Sequence, residues 1–387
     1  MKKILYGTTA LVAATLVVGP VHAAEPLKVS VSGSMQEWFA VVKNKKAGPN
    51  TAVGARDINP IAINADTEVD FKASTKLDNG LTVSAVIEVD TNDNGNNIAV
   101  DEQWASVAGG FGTVYAGVRQ STNLQLHNEA PDVGIGYGDV DIYLRHPTGG
   151  GMLSFGGGTA TGAKASSDQN NLDGTSFERL MNDAPSVGYV SPQFAGFTVA
   201  GTYSSSSTSV GAVDQVSNGH NAWDLSLAYS ADLGGVKIGA DAGMYRMNGS
   251  QTNAVTSLQA YEGGLKIGAG GFTIGGAYMR VMEPAKRNGN AATYAADGST
   301  WNVGASYAFG QAAVSLLYYR ENHQGNPLIR GSDKFETYLL SGKYDLGAGV
   351  ALKGSGFYGK YKSNEYAGDP LNNNKGYGLV TGLDLTF

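Results

Sequence analysis

Several groups of residues have the types and spacing that chemistry requires. Asp90-x-Asn92-x-Asn94-Gly95, followed after five residues by Asp101, comes close to the oxygen-ligand spacing of a calcium loop, with Asp where a bidentate Glu would stand. A calcium loop of that kind lies between helices, whereas this one lies between extended segments, so it reads as an Asn/Gly-rich turn. Beyond the first 23 residues the histidines are His127, His146, His220 and His323, with no HxxxH pair to set two imidazoles on one helix face for zinc. There is no cysteine, which removes thiolate metal sites, thiol nucleophiles and disulfides. Gly-x-Gly-x-x-Gly spacings follow from 55 glycines in 387 residues and need a strand-to-helix context to cradle phosphate. A Ser-His-Asp hydrolase would need a histidine on a strand, and all four fall in connecting segments. The sequence therefore calls for no cofactor, no metal and no catalytic centre. What remains are isolated charges, above all Lys72, Lys76 and Arg119 and the later carboxylates Glu129, Asp132, Asp139 and Asp141. Their use depends on the elements that carry them.

Residues 1–23 begin with Lys2 and Lys3, continue through an apolar stretch from Ala10 to Val18, meet Gly19-Pro20 and end Val21-His22-Ala23. That is the three-part pattern of a secretory signal, cleaved after Ala23, with an apolar run too short to anchor in a membrane. The whole chain carries a formal charge of −7, and the mature part, residues 24–387, is more acidic because two lysines leave with the signal. The basic footprint of a nucleic-acid binder is missing.

The mature chain repeats one pattern. Leu81, Val83, Ala85, Ile87 and Val89 alternate with largely polar neighbours, as do Trp223/Leu225/Leu227/Tyr229, Trp301/Val303/Ala305/Tyr307 and Tyr377/Leu379/Thr381/Leu383/Leu385/Phe387. A period of two with one apolar face is a strand. No stretch keeps a helical period over three turns. Seven tight Gly-rich turns, such as Leu77 to Gly80 and Asp232 to Gly235, alternate with long polar loops, such as Ser204 to Asn221 and Glu283 to Ser299.

Strands of about 9 to 12 residues, turns short on one side and long on the other, and Tyr and Trp near strand ends are what a transmembrane antiparallel β-barrel requires. Lipid offers no partner to an open edge, so such a sheet must close. A soluble sandwich would need bulkier side chains on its packing face than the Gly/Ala-rich one found here. The pattern predicts an all-β fold of 16 strands, with 18 as the alternative if Asp139 to Phe155 adds a hairpin. On 16 strands, Ser121 to Ala184 is a single long segment, and a connection of that length is commonly functional.

Four motifs then carry a resemblance: Thr67-Glu68-Val69-Asp70-Phe71-Lys72 leading to Leu77-Asp78-Asn79-Gly80-Leu81; Gly110-Phe111-Gly112-Thr113-Val114-Tyr115-Ala116-Gly117-Val118-Arg119; Ser186-Val187-Gly188-Tyr189-Val190-Ser191-Pro192-Gln193-Phe194-Ala195-Gly196-Phe197; and a terminal Phe387 preceded by Leu385 and Leu383 on one face. Together they resemble the general diffusion porins of Gram-negative outer membranes, particularly the alphaproteobacterial type. The resemblance implies short periplasmic turns, long extracellular loops, and a third loop, Ser121 to Ala184, folded into the lumen as a constriction. It implies a homotrimer, an outer-membrane location in contact with lipid, and a Phe387 that the outer-membrane assembly machinery reads.

A water-filled pore selects by its diameter and by the charges at its narrowest point. Lys72, Lys76 and Arg119 have lumen parity, and the family arrangement implies basic residues on the wall facing carboxylates on the loop. Arg119 is the first wall candidate and Asp132, after Pro131, the first on the loop, with Glu129, Asp139 and Asp141 beside it. The expected activity is passive diffusion of ions and small hydrophilic solutes. The alternatives are a substrate-selective, sugar-type channel, which would line its lumen with a row of aromatics, and an outer-membrane enzyme or adhesin without a pore. Glu37 breaks the alternation by falling on the outward face, where a subunit interface or a position above the membrane would account for it.

Overall fold

The computed structural model describes residues 26–44, 59–93, 97–144, 174–181, 183–206, 213–216, 219–251, 257–282, 298–323, 332–362 and 373–387. They form sixteen strands: β1 (Lys28–Asn44), β2 (Ile61–Lys76), β3 (Thr82–Asp93), β4 (Asn97–Gly109), β5 (Gly112–Arg119), β6 (Ala184–Val190), β7 (Phe197–Ser206), β8 (His220–Asp232), β9 (Val236–Asn248), β10 (Leu258–Ala269), β11 (Phe272–Met282), β12 (Gly298–Phe309), β13 (Ala312–His323), β14 (Asp333–Gly347), β15 (Val350–Lys362) and β16 (Asn373–Thr386). Each pairs antiparallel with its sequence neighbours, and β16 pairs with β1 to close the barrel. The seam is finished by Phe387, whose carbonyl accepts the Gly33 N–H at 2.8 Å while its own N–H donates to the Gly33 carbonyl at 3.1 Å. Closure removes the edge that would otherwise template aggregation.

Period two becomes two faces. Outside, apolar residues such as Ile63, Phe71, Leu227, Ile274, Leu340 and Leu379 are exposed. Rows of rings cross the same face, including Tyr318, Tyr338, Tyr358 and Tyr377 on four successive strands in register. Glu37 also points outward, in the middle of β1 between exposed Met35 and Phe39, with Leu383 and Ala65 as its cross-strand neighbours.

Sixteen strands agree with the first reading of the sequence, and β5 pairs directly with β6. The hairpin at Asp139 to Phe155 therefore has no place in the closed order. Of that stretch, Val140–Tyr143 forms a short helix, α2, and 145–155 lies outside the described residues. A second short helix, α1 (Thr122–Leu126), follows β5, and Glu178–Leu180 is a single 3-10 turn before β6.

Two findings differ from the sequence reading. His220 opens β8 and His323 ends β13, so histidines do occur on strands. The inward face is also not uniformly polar. Trp38, Leu317, Tyr319, Phe335, Phe357 and Tyr361 pack with Ala130, Ile135, Tyr137, Val140, Tyr143 and Leu144 in one buried cluster. Phe177 and Met181 pack with Ala222, Tyr245, Met279 and Val281 in another. In both, residues of the β5–β6 connection cover apolar side chains inside the barrel, so water never meets them. A strand's alternation alone cannot reveal that cover.

Candidate functional site

The connection between β5 and β6 runs along the inner wall by a regular device. Its backbone N–H groups at Asn128, Ala130, Val133 and Ile135 donate in turn to Asp241 Oδ1 on β9 (2.6 Å), Asn302 Oδ1 on β12 (3.0 Å), Ser315 Oγ on β13 (3.1 Å) and Ser355 Oγ on β15 (3.1 Å). A non-helical segment inside a barrel must satisfy its amides somewhere, and short polar wall side chains supply the acceptors. The wall is cut back to admit it. A Cβ on Gly264 would collide with the Asn128 carbonyl, and one on Gly275 would lie 2.7 Å from the Glu129 carbonyl.

Glu129 and Asp132, two of the carboxylates that the sequence suggests for the loop, hold this segment in place. Glu129 is buried; its Oε2 accepts from Tyr137 Oη (2.5 Å), Asn302 Nδ2 (3.1 Å) and Thr175 Oγ1 (3.3 Å). Asp132 Oδ1 accepts from Ser315 Oγ (2.8 Å) and the Gly134 N–H, and its Oδ2 from the Gly136 N–H (2.9 Å). Asp139 is buried at the start of α2. Of Asp141, only the backbone in α2 is described, and Asn94 of the calcium-like loop, with the Asn92 side chain, lies outside the described residues.

Arg119 ends β5 with its guanidinium 4.1 Å from the ring centroid of Trp104 and 4.7 Å from that of Tyr115. Gly117, opposite Trp104, makes the room: a Cβ there would strike the Trp104 backbone and Cβ. Cation–π contact with the two rings contributes about 0.5–2 kcal/mol and holds the guanidinium against the wall. Across the sheet, Asp70 pairs with Glu88, and the registers of Gln103 with Ile87 and Val118 bring Glu102 level with Glu88 and Arg119. Lys72, one inward position from Asp70, pairs with it at 2.8 Å and donates to Ser32 Oγ at 3.0 Å. The inner wall of β2–β5 thus presents a row in which Lys72 and Arg119 bracket Asp70, Glu88 and Glu102. Lys76 stands apart, at the tight-turn end of β2, roughly 13 Å along the strand from Lys72.

One cluster has no counterpart in the sequence reading. His127, just after α1, places Nδ1 2.9 Å from Asp241 Oδ2 on β9 and 2.8 Å from Glu262 Oε2 on β10, all three side chains being essentially inaccessible. Its Nε2 lies 3.0 Å from Thr175 Oγ1. Burial disfavours a charged imidazole, but the two carboxylates overcome it and raise the His127 pKa to about 10. His127 lies more than 100 positions from both carboxylates, so nothing in their spacing betrays the cluster.

A closed sixteen-stranded barrel with an apolar outside, whose inner wall is crossed by one long connection, is a channel architecture. A family profile described as Gram-negative porin matches residues 7–366. The chain belongs to the Gram-negative porin family. Among solved structures, this porin is similar to the anion-selective porin from Comamonas acidovorans (TM-score 0.60, 16% identity, covering 93% of this chain and 100% of that one). It is also similar to the outer membrane channel DcaP of Acinetobacter baumannii (TM-score 0.61, 13% identity, 93% and 97% covered) and to OmpT of Vibrio cholerae (TM-score 0.58, 13% identity, 95% and 100% covered). At these identities the likeness is one of fold. No curated protein sequence matches the chain significantly.

Proposed function

We propose that this porin spans the bacterial outer membrane as a general diffusion channel for ions and small hydrophilic solutes, in the manner of the alphaproteobacterial type. Residues 1–23 serve as a cleaved signal peptide, and the tight turns face the periplasm. The β5–β6 connection is an extracellular loop turned into the lumen, where it narrows the pore. The observation that carries this reading is the ladder of hydrogen bonds from Asn128, Ala130, Val133 and Ile135 to β9, β12, β13 and β15, which keeps the segment inside the barrel and on one side of it. The wall of β2–β5 then forms the opposite side of the constriction.

On that wall three carboxylates stand between two cations, which favours a modest cation preference. Local charge at the narrowest point outweighs the charge of the whole chain in setting selectivity. Passage is passive, with no enzymatic step and no cofactor. The inward aromatics Tyr319, Phe335, Phe357 and Tyr361 are buried under the loop, which speaks against an aromatic sugar slide built from them. Glu37 in the outward apolar band supports a homotrimer, because a carboxylate facing lipid is costly, whereas one hydrogen-bonded or paired across a subunit contact is not. Phe387, with its ring exposed at the β16–β1 seam, is available to the assembly machinery.

Planar-bilayer recording of the purified mature chain tests the reading. Stepwise ohmic conductance that rises with salt and is not saturated by a single sugar is expected. Absence of conductance from folded protein overturns it.

A further inference from the structure

We propose that His127, Asp241 and Glu262 form a binding site for a divalent transition-metal ion of the zinc type, inside the barrel, between the lumen segment and the wall. The proposal starts from an imbalance. Two carboxylate oxygens, Asp241 Oδ2 and Glu262 Oε2, converge on one ring nitrogen at 2.9 and 2.8 Å. A ring nitrogen carries at most one hydrogen. With that hydrogen on Asp241, Glu262 Oε2 is buried without a hydrogen bond. With a protonated imidazole and both carboxylates ionised, one negative charge is left uncompensated in a place closed to water, where it must take up a proton or a cation. A divalent ion bound by a neutral imidazole and two carboxylates leaves none.

The surroundings orient the three ligand atoms as a metal's outer shell does. Asp241 turns its other oxygen, Oδ1, to the Asn128 N–H (2.6 Å) and to Asn128 Nδ2 (3.0 Å). Glu262 turns its other oxygen, Oε1, to Asn123 Nδ2 (2.8 Å). His127 Nε2–H donates to Thr175 Oγ1, whose own hydroxyl donates to Glu129 Oε2 (3.3 Å), and this tautomer leaves Nδ1 as the ligand nitrogen. Each ligand's outer atom is therefore engaged, and the three inner atoms are aimed at one point. One imidazole nitrogen with two carboxylate oxygens is a donor set that suits zinc, with a fourth position left for water. Bonds of about 2.0–2.1 Å set tetrahedral ligands roughly 3.4 Å apart, so the cluster would open by about half an ångström on binding.

Because His127 belongs to the lumen segment and Asp241 and Glu262 to β9 and β10, a bound ion would clip the constriction to the wall. This consequence rests on the channel reading, but binding itself does not. The test uses the full folded chain in detergent, stripped with a chelator and titrated with zinc against a chromophoric indicator, with cobalt as a spectroscopic probe. One equivalent per chain is expected, with visible bands of a low-coordinate cobalt site and a rise in melting temperature. Glu262→Gln keeps the Asn123 contact and the side-chain shape, and should weaken zinc binding at least tenfold and abolish the melting shift; His127→Gln should do the same. Equal zinc binding by wild type and Glu262→Gln, or no binding by wild type, overturns the proposal. Conductance of the zinc-free protein, recorded on the same preparation, separates failure of this site from failure of the channel reading.

Discussion

Asn302 on β12 accepts the Ala130 N–H at 3.0 Å through Oδ1, while its Nδ2 donates to Glu129 Oε2 at 3.1 Å and to Thr175 Oγ1 at 3.2 Å. One wall amide thus ties both limbs of the β5–β6 connection, before and after its undescribed middle. The same Oδ1 also accepts the Ala277 N–H of the neighbouring strand at 3.0 Å, so the loop is fastened to the barrel's own ladder.

Asn302→Leu removes these bonds and leaves the buried Glu129 short of a donor, a loss of about 1–3 kcal/mol or more because the acceptor is charged. The barrel should still form, since β12 keeps its backbone pairing. Single-channel records should show larger and noisier conductance, and unchanged traces would remove the loop from its anchoring role.

Neutralising Arg119 to Gln should shift the reversal potential in a salt gradient toward cations, because Glu88 and Glu102 then face the lumen without their neighbour. Glu102→Gln should move it the other way. The cation–π contacts of Arg119 with Trp104 and Tyr115 predict a modest stability loss of about 0.5–2 kcal/mol for the first variant. An unmoved reversal potential in both would take this row out of the constriction.

Gly264→Ala places a methyl against the Asn128 carbonyl on the inner wall, where overpacking typically costs about 1–3 kcal/mol. The segment should be pushed from the wall, lowering the melting temperature and altering conductance. Gly342→Ala is the control, since a Cβ there meets nothing nearer than the Ala313 carbonyl at 4.0 Å. Equal effects from the two would mean that the glycine track is not there to admit the segment.

If the chain assembles as the proposed homotrimer with Glu37 at the contact, Glu37→Leu should shift unheated samples on gel electrophoresis from trimer toward monomer while leaving the monomer as stable or more so, because it removes a polar contact and suits lipid better. A trimer population equal to wild type would place Glu37 outside the interface.

The strands were legible because their signal is local. A period of two shows in any eight to twelve residues, and each turn carries its own glycines, as Gly234 and Gly235 do with positive φ between β8 and β9. Parity followed directly, so Lys72 and Arg119 stand on the inward face as their alternation implies. The fate of the loop carboxylates was not legible. Whether Glu129 and Asp132 face solvent or hold the loop depends on Asn302, Thr175 and Ser315, and no spacing near residue 130 encodes those partners.

By itself, the sequence determined an antiparallel sheet of sixteen or eighteen strands, its two faces, and the long stretch that departs from the pattern, because each follows from side-chain alternation and turn chemistry within short windows; the closed order of the structure decides for sixteen. Only the tertiary structure decided what that connection touches. Closing the barrel brings His127 against Asp241 and Glu262, lays Asn128 over Gly264, and buries Tyr319 and Phe335 under Tyr137 and Leu144. Contacts across a lumen join residues that share neither a strand nor a turn, and a linear chain carries no local mark of such pairs.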